Sequence, residues 1–280
     1  MPYKSLNFKW KLFLKKVCHK AKEIDIFING MSLVYTTLLS IVPLLIFSFY
    51  IMTLFNFFGG MKRLIQHLKE AILNNLATGT GQTVVKFLEQ HVNNIDIGQL
   101  GAISFFSLVV IIIFMLSRIE KTFNRIWGVT EHRDLFKRFI AFWTFVTLGT
   151  FLVTLSLSLI FTLVNLYFNQ HLFELYGLNK LGIHFISLGT YILIFTVGYY
   201  LIPNTEVDPL AAIVGGITSG LLFDLAKLFY KVYTKNIVTY HQIYGSLSAI
   251  PLFLIWLYLV WLITLLGAVI SYVFQYRDNL

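Results

Sequence analysis

Charged side chains are scarce in this sequence: Asp, Glu, Lys and Arg make up 12% of its 280 residues, and only 13 are acidic. A soluble domain carries about 25% charged residues, so there is too little charge here to clothe a water-facing surface. A single cysteine, Cys18, excludes an intramolecular disulfide and any zinc site of paired thiols. The seven histidines (19, 67, 91, 132, 171, 184 and 241) are scattered, with no H-E-x-x-H or H-x-H pair. There is no G-x-x-x-x-G-K-[ST] phosphate loop and no G-x-S-x-G nucleophile elbow. These absences argue against an ATP-driven pump or a metallonuclease in this chain alone. The expectation is a protein that is not an enzyme and uses no metal or cofactor.

What is present is apolar: 57% hydrophobic residues, 27 Phe, 15 Tyr and a mean hydropathy of +0.75. Spanning a bilayer takes about 20 apolar residues. Six stretches qualify, at 32–58, 97–117, 139–167, 182–202, 209–231 and 247–273. The fold class expected is an all-α integral membrane protein, a bundle of about six transmembrane helices with amphipathic helices at the N-terminus and in an outer loop. The fifth stretch is the least apolar, because it holds Asp224 and Lys227. The first apolar run extends without charge from Ile26 to Lys62, far beyond the roughly 7–15-residue core of a cleavable signal.

Residues 1–30 form a basic segment with seven lysines. Phe13, Val17, Ala21, Ile24 and Ile28 recur at helical spacing, so one face is apolar and the others cationic. Two readings are open, an interfacial helix on anionic lipid or a solvated basic tail. The membrane domain is expected over 31–275. With six spans, fourteen Lys and Arg fall on the side of the termini and eight on the other. That bias places both termini in the cytoplasm, although the turn 203–208 on that side carries Glu206 and Asp208. The net charge of +9 is accounted for by topology and lipid headgroups rather than nucleic acid. Between the first two spans, an insert at about 61–95 shows two apolar stripes, Leu64–Leu68–Ala71–Ile72–Leu76 and Val84–Leu88–Val92, separated by Thr78–Gly81. Its helices either lie on the outer leaflet or cap the bundle.

The fifth span carries small residues at 211, 215 and 219 and again at Ala212, Gly216 and Gly220. Small-x-x-x-small stripes let helix backbones approach closely in lipid, which predicts a central helix with neighbours on two sides. Asp224 extends the second stripe, with Lys227 three residues on. An ionisable pair inside a span is either a polar site for cargo or protons, or an interfacial salt bridge with the lysine snorkelling. Tyr240, His241 and Tyr244 follow in the next connection; an interfacial aromatic belt accounts for the tyrosines, and His241 is a candidate proton group. Pro43 and Pro251 sit in the first and sixth spans, where each removes a backbone donor and invites a kink.

Three stretches carry a family resemblance. Ser32–Leu45 contains Tyr35, Leu39, Ser40 and Pro43; Phe123-Asn124-Arg125-Ile126-Trp127 follows the second span; and Tyr200-Leu-Ile-Pro203-Asn204-Thr205 precedes Tyr240-His-Gln-Ile-Tyr244-Gly245 and Leu265-Leu-Gly-Ala268. Their order and spacing resemble the YihY/BrkB family of bacterial inner-membrane proteins over nearly the whole chain. The resemblance implies a six-helix bundle in the cytoplasmic membrane, a role in envelope integrity or serum resistance, and movement or organisation of a lipid or other amphipathic envelope component. The alternative reading is a non-transporting scaffold for envelope-building enzymes. Partners would be membrane lipids and envelope-assembly proteins. An old ribonuclease label in the family finds no support in these residues. Two departures stand out: Val269 where relatives often carry an acid, and Glu206 with Asp208 where they often carry a base.

Overall fold

Seven α-helices make up the regular structure of the described residues, with no strand among them. The computed structural model describes residues 10–54, 97–131, 133–169, 176–236 and 249–277. The helices are α1 (Trp10–Glu23), α2 (Ile26–Leu54), α3 (Ile97–Trp127), α4 (Leu135–Asn169), α5 (Tyr176–Leu201), α6 (Pro209–Asn236) and α7 (Ala249–Gln275). Each expected span falls on one of α2 to α7. Among the described residues four helices, α4 to α7, are long and apolar enough to cross a membrane, and a fifth crossing follows if α1 and α2 are taken as one bent span. The apolar window of α6 has a mean hydropathy of 1.6, the lowest of the four, as its charged residues require. The expected insert at 61–95 lies outside the described residues.

The chain divides into two compact units, residues 36–115 and the remainder. In the larger unit the helices pack in the order α4–α5–α6–α7–α1, with a further contact between α5 and α7. None of the apolar window of α4 is buried inside the protein, against 39% for α6. Trp143, Phe151, Leu157 and Phe161 on α4 are exposed, the composition of a lipid-facing helix. The central place of α6 comes from its two small-residue stripes. A Cβ on Gly216 or Gly220 would strike Thr196 or Ile192 of α5, whereas one on Gly215 would come within 2.7 Å of the Gly267 carbonyl of α7.

Local chemistry sets the helix ends. Gly128, at φ +71°, closes α3: the Val129 N–H donates to the Asn124 carbonyl at 2.9 Å and the Gly128 N–H to that of Arg125 at 3.4 Å, the paired bonds of a Schellman cap. α6 opens with Asp208 accepting from the Leu210 N–H at 3.2 Å and Pro209 next in line, an N-cap followed by proline at the first helical position.

One expectation needs correcting. Phe13, Val17 and Ile24 are buried where α1 packs on α7, but the apolar face does not run on to Ile28. The backbone breaks at Asp25, which adopts φ +49°, and α1 meets α2 at 53°. Ile28 is therefore turned outward and 67% exposed. The break comes before residue 30, so a division at 30/31 cuts through α2. α1 is consequently neither a free tail nor a helix held by lipid alone: one face belongs to the protein core.

Candidate functional site

Asp224 sits 15 residues beyond the start of α6, about 22 Å along the axis at 1.5 Å per residue. Hydrocarbon there offers no counter-charge, so the protein supplies one. Lys227 Nζ lies 2.9 Å from Asp224 Oδ1 and His184 Nε2 of α5 lies 3.6 Å from Oδ2. Lys227 also donates to the Tyr191 hydroxyl at 3.1 Å and rides 4.3 Å above that ring, adding a cation–π attraction. Phe223 closes edge-on against Tyr191 at 5.0 Å and meets Trp256 of α7 at 5.6 Å. The Asp224 side chain is 15% exposed, whereas those of Lys227 and His184 are 34% and 51% exposed. The carboxylate is thus the most buried of the three, with the Lys227 ammonium and the His184 ring lying further outward.

A second polar constellation lies at the end of the bundle where α3, α5 and α7 finish and α4 and α6 begin. Here the family-motif residues Asn124, Trp127, Pro203 and Asn204, far apart in sequence, come together. The Asn204 N–H donates to Asn124 Oδ1 at 2.8 Å, and both asparagine amides donate to the Glu131 carbonyl, at 3.2 and 3.4 Å. Trp127 Nε1 donates to Gln275 Oε1, which also accepts from the Asp208 N–H, while Gln275 Nε2 donates to the Glu206 carbonyl. Arg133 donates to the carbonyls of Leu201, Ile202 and Pro203 at 3.1, 3.0 and 2.6 Å. The carbonyls of Leu201 and Ile202 are among those that the end of α5 leaves unpaired and carry the negative end of its dipole, and Pro203 opens the turn beyond. Glu120, fully buried, accepts from the Arg133 N–H at 3.0 Å and pairs with Arg138 Nε at 2.5 Å, while Arg138 Nη1 donates to Ser117 at 2.6 Å. Burial lowers the Arg133 guanidinium from its ordinary value, Glu120 opposes that shift, and Arg138 adds to it.

Arg133 works here as a fork, not only as a charge. Arg133→Lys is expected to cost about 1.5–3 kcal/mol, the worth of charged hydrogen bonds lost at carbonyls that a single ammonium cannot span. Thermal unfolding in detergent checks this.

The remaining expected residues are placed as follows. Ala212 is buried on α6, in the same stripe as Gly216 and Gly220. Pro43 lies within α2, which continues past it. Pro251 lies in the first described turn of α7. Tyr35 and Leu39 are exposed, and Ser40 Oγ donates to the Thr37 carbonyl at 2.7 Å. Tyr240, His241, Tyr244 and Gly245 lie outside the described residues. Val269 is fully buried. His184, Tyr191, Glu120, Arg133 and Arg138 were not read as site residues from sequence. The two arginines count toward topology in any charge tally, and the signal that sets them apart is a lone acid, Glu120, between the basic residues 118 and 121.

Apolar helices facing outward, with an ion pair set within one of them, define a polytopic helical membrane protein. Residues 17–279 match the family described as virulence factor BrkB, and the chain belongs to that family. It is 31% identical over 258 residues to a UPF0761 membrane protein of Alteromonas mediterranea, covering 92% of this chain and 84% of the relative. A UPF0761 membrane protein of Pseudoalteromonas atlantica is 29% identical, covering 95% and 87%. One of Psychromonas ingrahamii is 30% identical, covering 99% and 91%. No solved structure matches the chain.

Proposed function

We propose that this protein resides in the bacterial cytoplasmic membrane with both termini in the cytoplasm, where it moves or organises a lipid or similar amphipathic envelope component and thereby supports envelope integrity. The observation that carries the reading is the Asp224–Lys227 pair within one span, joined by His184 and Tyr191 of the next, with Lys227 and His184 more exposed than the carboxylate they flank. Lys227 would draw an anionic headgroup, and Asp224 would hold Lys227 in place and release it as cargo arrives. The fourteen-to-eight bias of basic residues supports the orientation. No nucleic acid and no enzymatic step enter this reading.

The test is cellular. In a strain lacking its own copy, Asp224→Asn and Asp224→Ala are expected to fail to restore resistance to envelope stress at wild-type protein levels. Full restoration by both removes Asp224 from the function. The scaffold alternative predicts instead that residues 59–96, outside the described structure, carry the phenotype.

A further inference from the structure

A second place on the molecule is shaped for lipid. At the elbow between α1 and α2, a crevice of about 700 Å³ opens against α6 and α7, within the volume range of small-molecule sites, about 300–1,000 Å³. Its polar lining, Lys22 and Asp25 with Cys18 beside them, comes from α1 and the elbow and is taken as the mouth; the rest of the lining, including Ile28, Leu222 and Leu259, is apolar. The mouth lies at the level where helices end. Asp25 is 3.7 Å from Arg125, two residues before the end of α3, and Trp127, its last residue, bonds Gln275, the last of α7. The walls reach 13 residues into α6 and 16 back along α7, about 20 and 24 Å at 1.5 Å per residue. One leaflet of hydrocarbon is about 15 Å deep, with the headgroup layer above it. The crevice therefore spans the depth of one leaflet, polar at the surface and apolar below.

Charge at the mouth selects among lipids. Arg125 offsets Asp25, leaving Lys22 in excess. Lys11 and Lys15 share its helical face, at spacings of four and seven residues, and all three are exposed. We infer that this crevice seats one acyl chain of an anionic phospholipid from the leaflet at the α1 end, with its phosphate held by Lys22. The site is separate from the Asp224 cluster and does not depend on the role proposed there.

The experiment is native mass spectrometry of the full chain in micelles holding equal phosphatidylglycerol and phosphatidylcholine. The wild type is expected to retain one phosphatidylglycerol in preference to phosphatidylcholine. Lys22→Gln is expected to reduce that preference about fivefold, the effect of one lysine at a membrane surface. Ile28→Trp, made at an exposed position so that folding is spared, is expected to block the seat and abolish retention with an unchanged melting temperature. Asp224→Leu is expected to keep this lipid, which separates failure here from failure of the proposed function. Equal retention of the two lipids by the wild type overturns the inference, as does unchanged preference in both Lys22→Gln and Ile28→Trp. A crevice already filled by another segment of the chain would show as no retained lipid, and that result also overturns it.

Discussion

Glu120→Ala is expected to destabilise the protein by about 3–5 kcal/mol, because removing one partner of a buried ion pair strands the other charge. Arg138 would lose its carboxylate, and Arg133 would lose the acceptor of its N–H. The damage would spread to the clamp on the carbonyls of Leu201, Ile202 and Pro203, where α5 passes into the turn. Thermal unfolding in detergent, followed by tryptophan fluorescence, measures the loss. The double variant Glu120→Leu with Arg138→Met is expected to recover part of it, since replacing both members of a buried pair by apolar groups is often close to neutral. If Glu120→Ala melts with the wild type, the network is not holding this end of the bundle.

Gly267→Ala is expected to be of similar consequence where α7 packs on α6 and α5. A Cβ there would occupy the place of Ser219 Oγ and of the Tyr199 hydroxyl. Those two groups share a buried hydrogen bond of 2.6 Å, and Tyr199 also donates to the Thr264 carbonyl at 2.9 Å. One methyl group would thus force α7 away from α5 and α6 and break the bonds that join all three. Overpacking costs about 1–3 kcal/mol, and stranding a buried hydroxyl about 1–3 kcal/mol more. Gly149 is the control, because a methyl group added there would meet no neighbouring atom within 4 Å among the described residues. Gly149→Ala is expected to melt at or above the wild-type temperature, helped by alanine's higher helix propensity. A small effect at Gly267 would mean that the seam between α6 and α7 yields more readily than its packing implies.

Much of this arrangement could be read along the chain. The two small-residue stripes of α6 pointed to neighbours on two sides, and the structure gives α5 to one and α7 to the other. The Asp224–Lys227 pair followed from helical spacing alone. His184 and Tyr191 did not, because their nearness to Asp224 and Lys227 respectively depends on the register between α5 and α6, and apolar periodicity carries no register between separate helices. The same reason hid the clamp. Arg133 and Arg138 serve as topology charges in a sequence, and only the fold shows that Arg133 supplies positive charge at the Pro203 turn. The break at Asp25 was also hidden, since the spacing of Ile24 and Ile28 continues the stripe of α1 while a single left-handed residue ends the helix.

Engagement of lipid by the Asp224 cluster is tested most directly by native mass spectrometry of the protein as purified from membranes, wild type beside Asp224→Leu. Beyond any phospholipid seated at the α1–α2 elbow, a specific lipid is expected on the wild type and is expected to be lost from Asp224→Leu, while the variant stays folded and equally stable. Identical lipid on both proteins would contradict a lipid-handling role for Asp224.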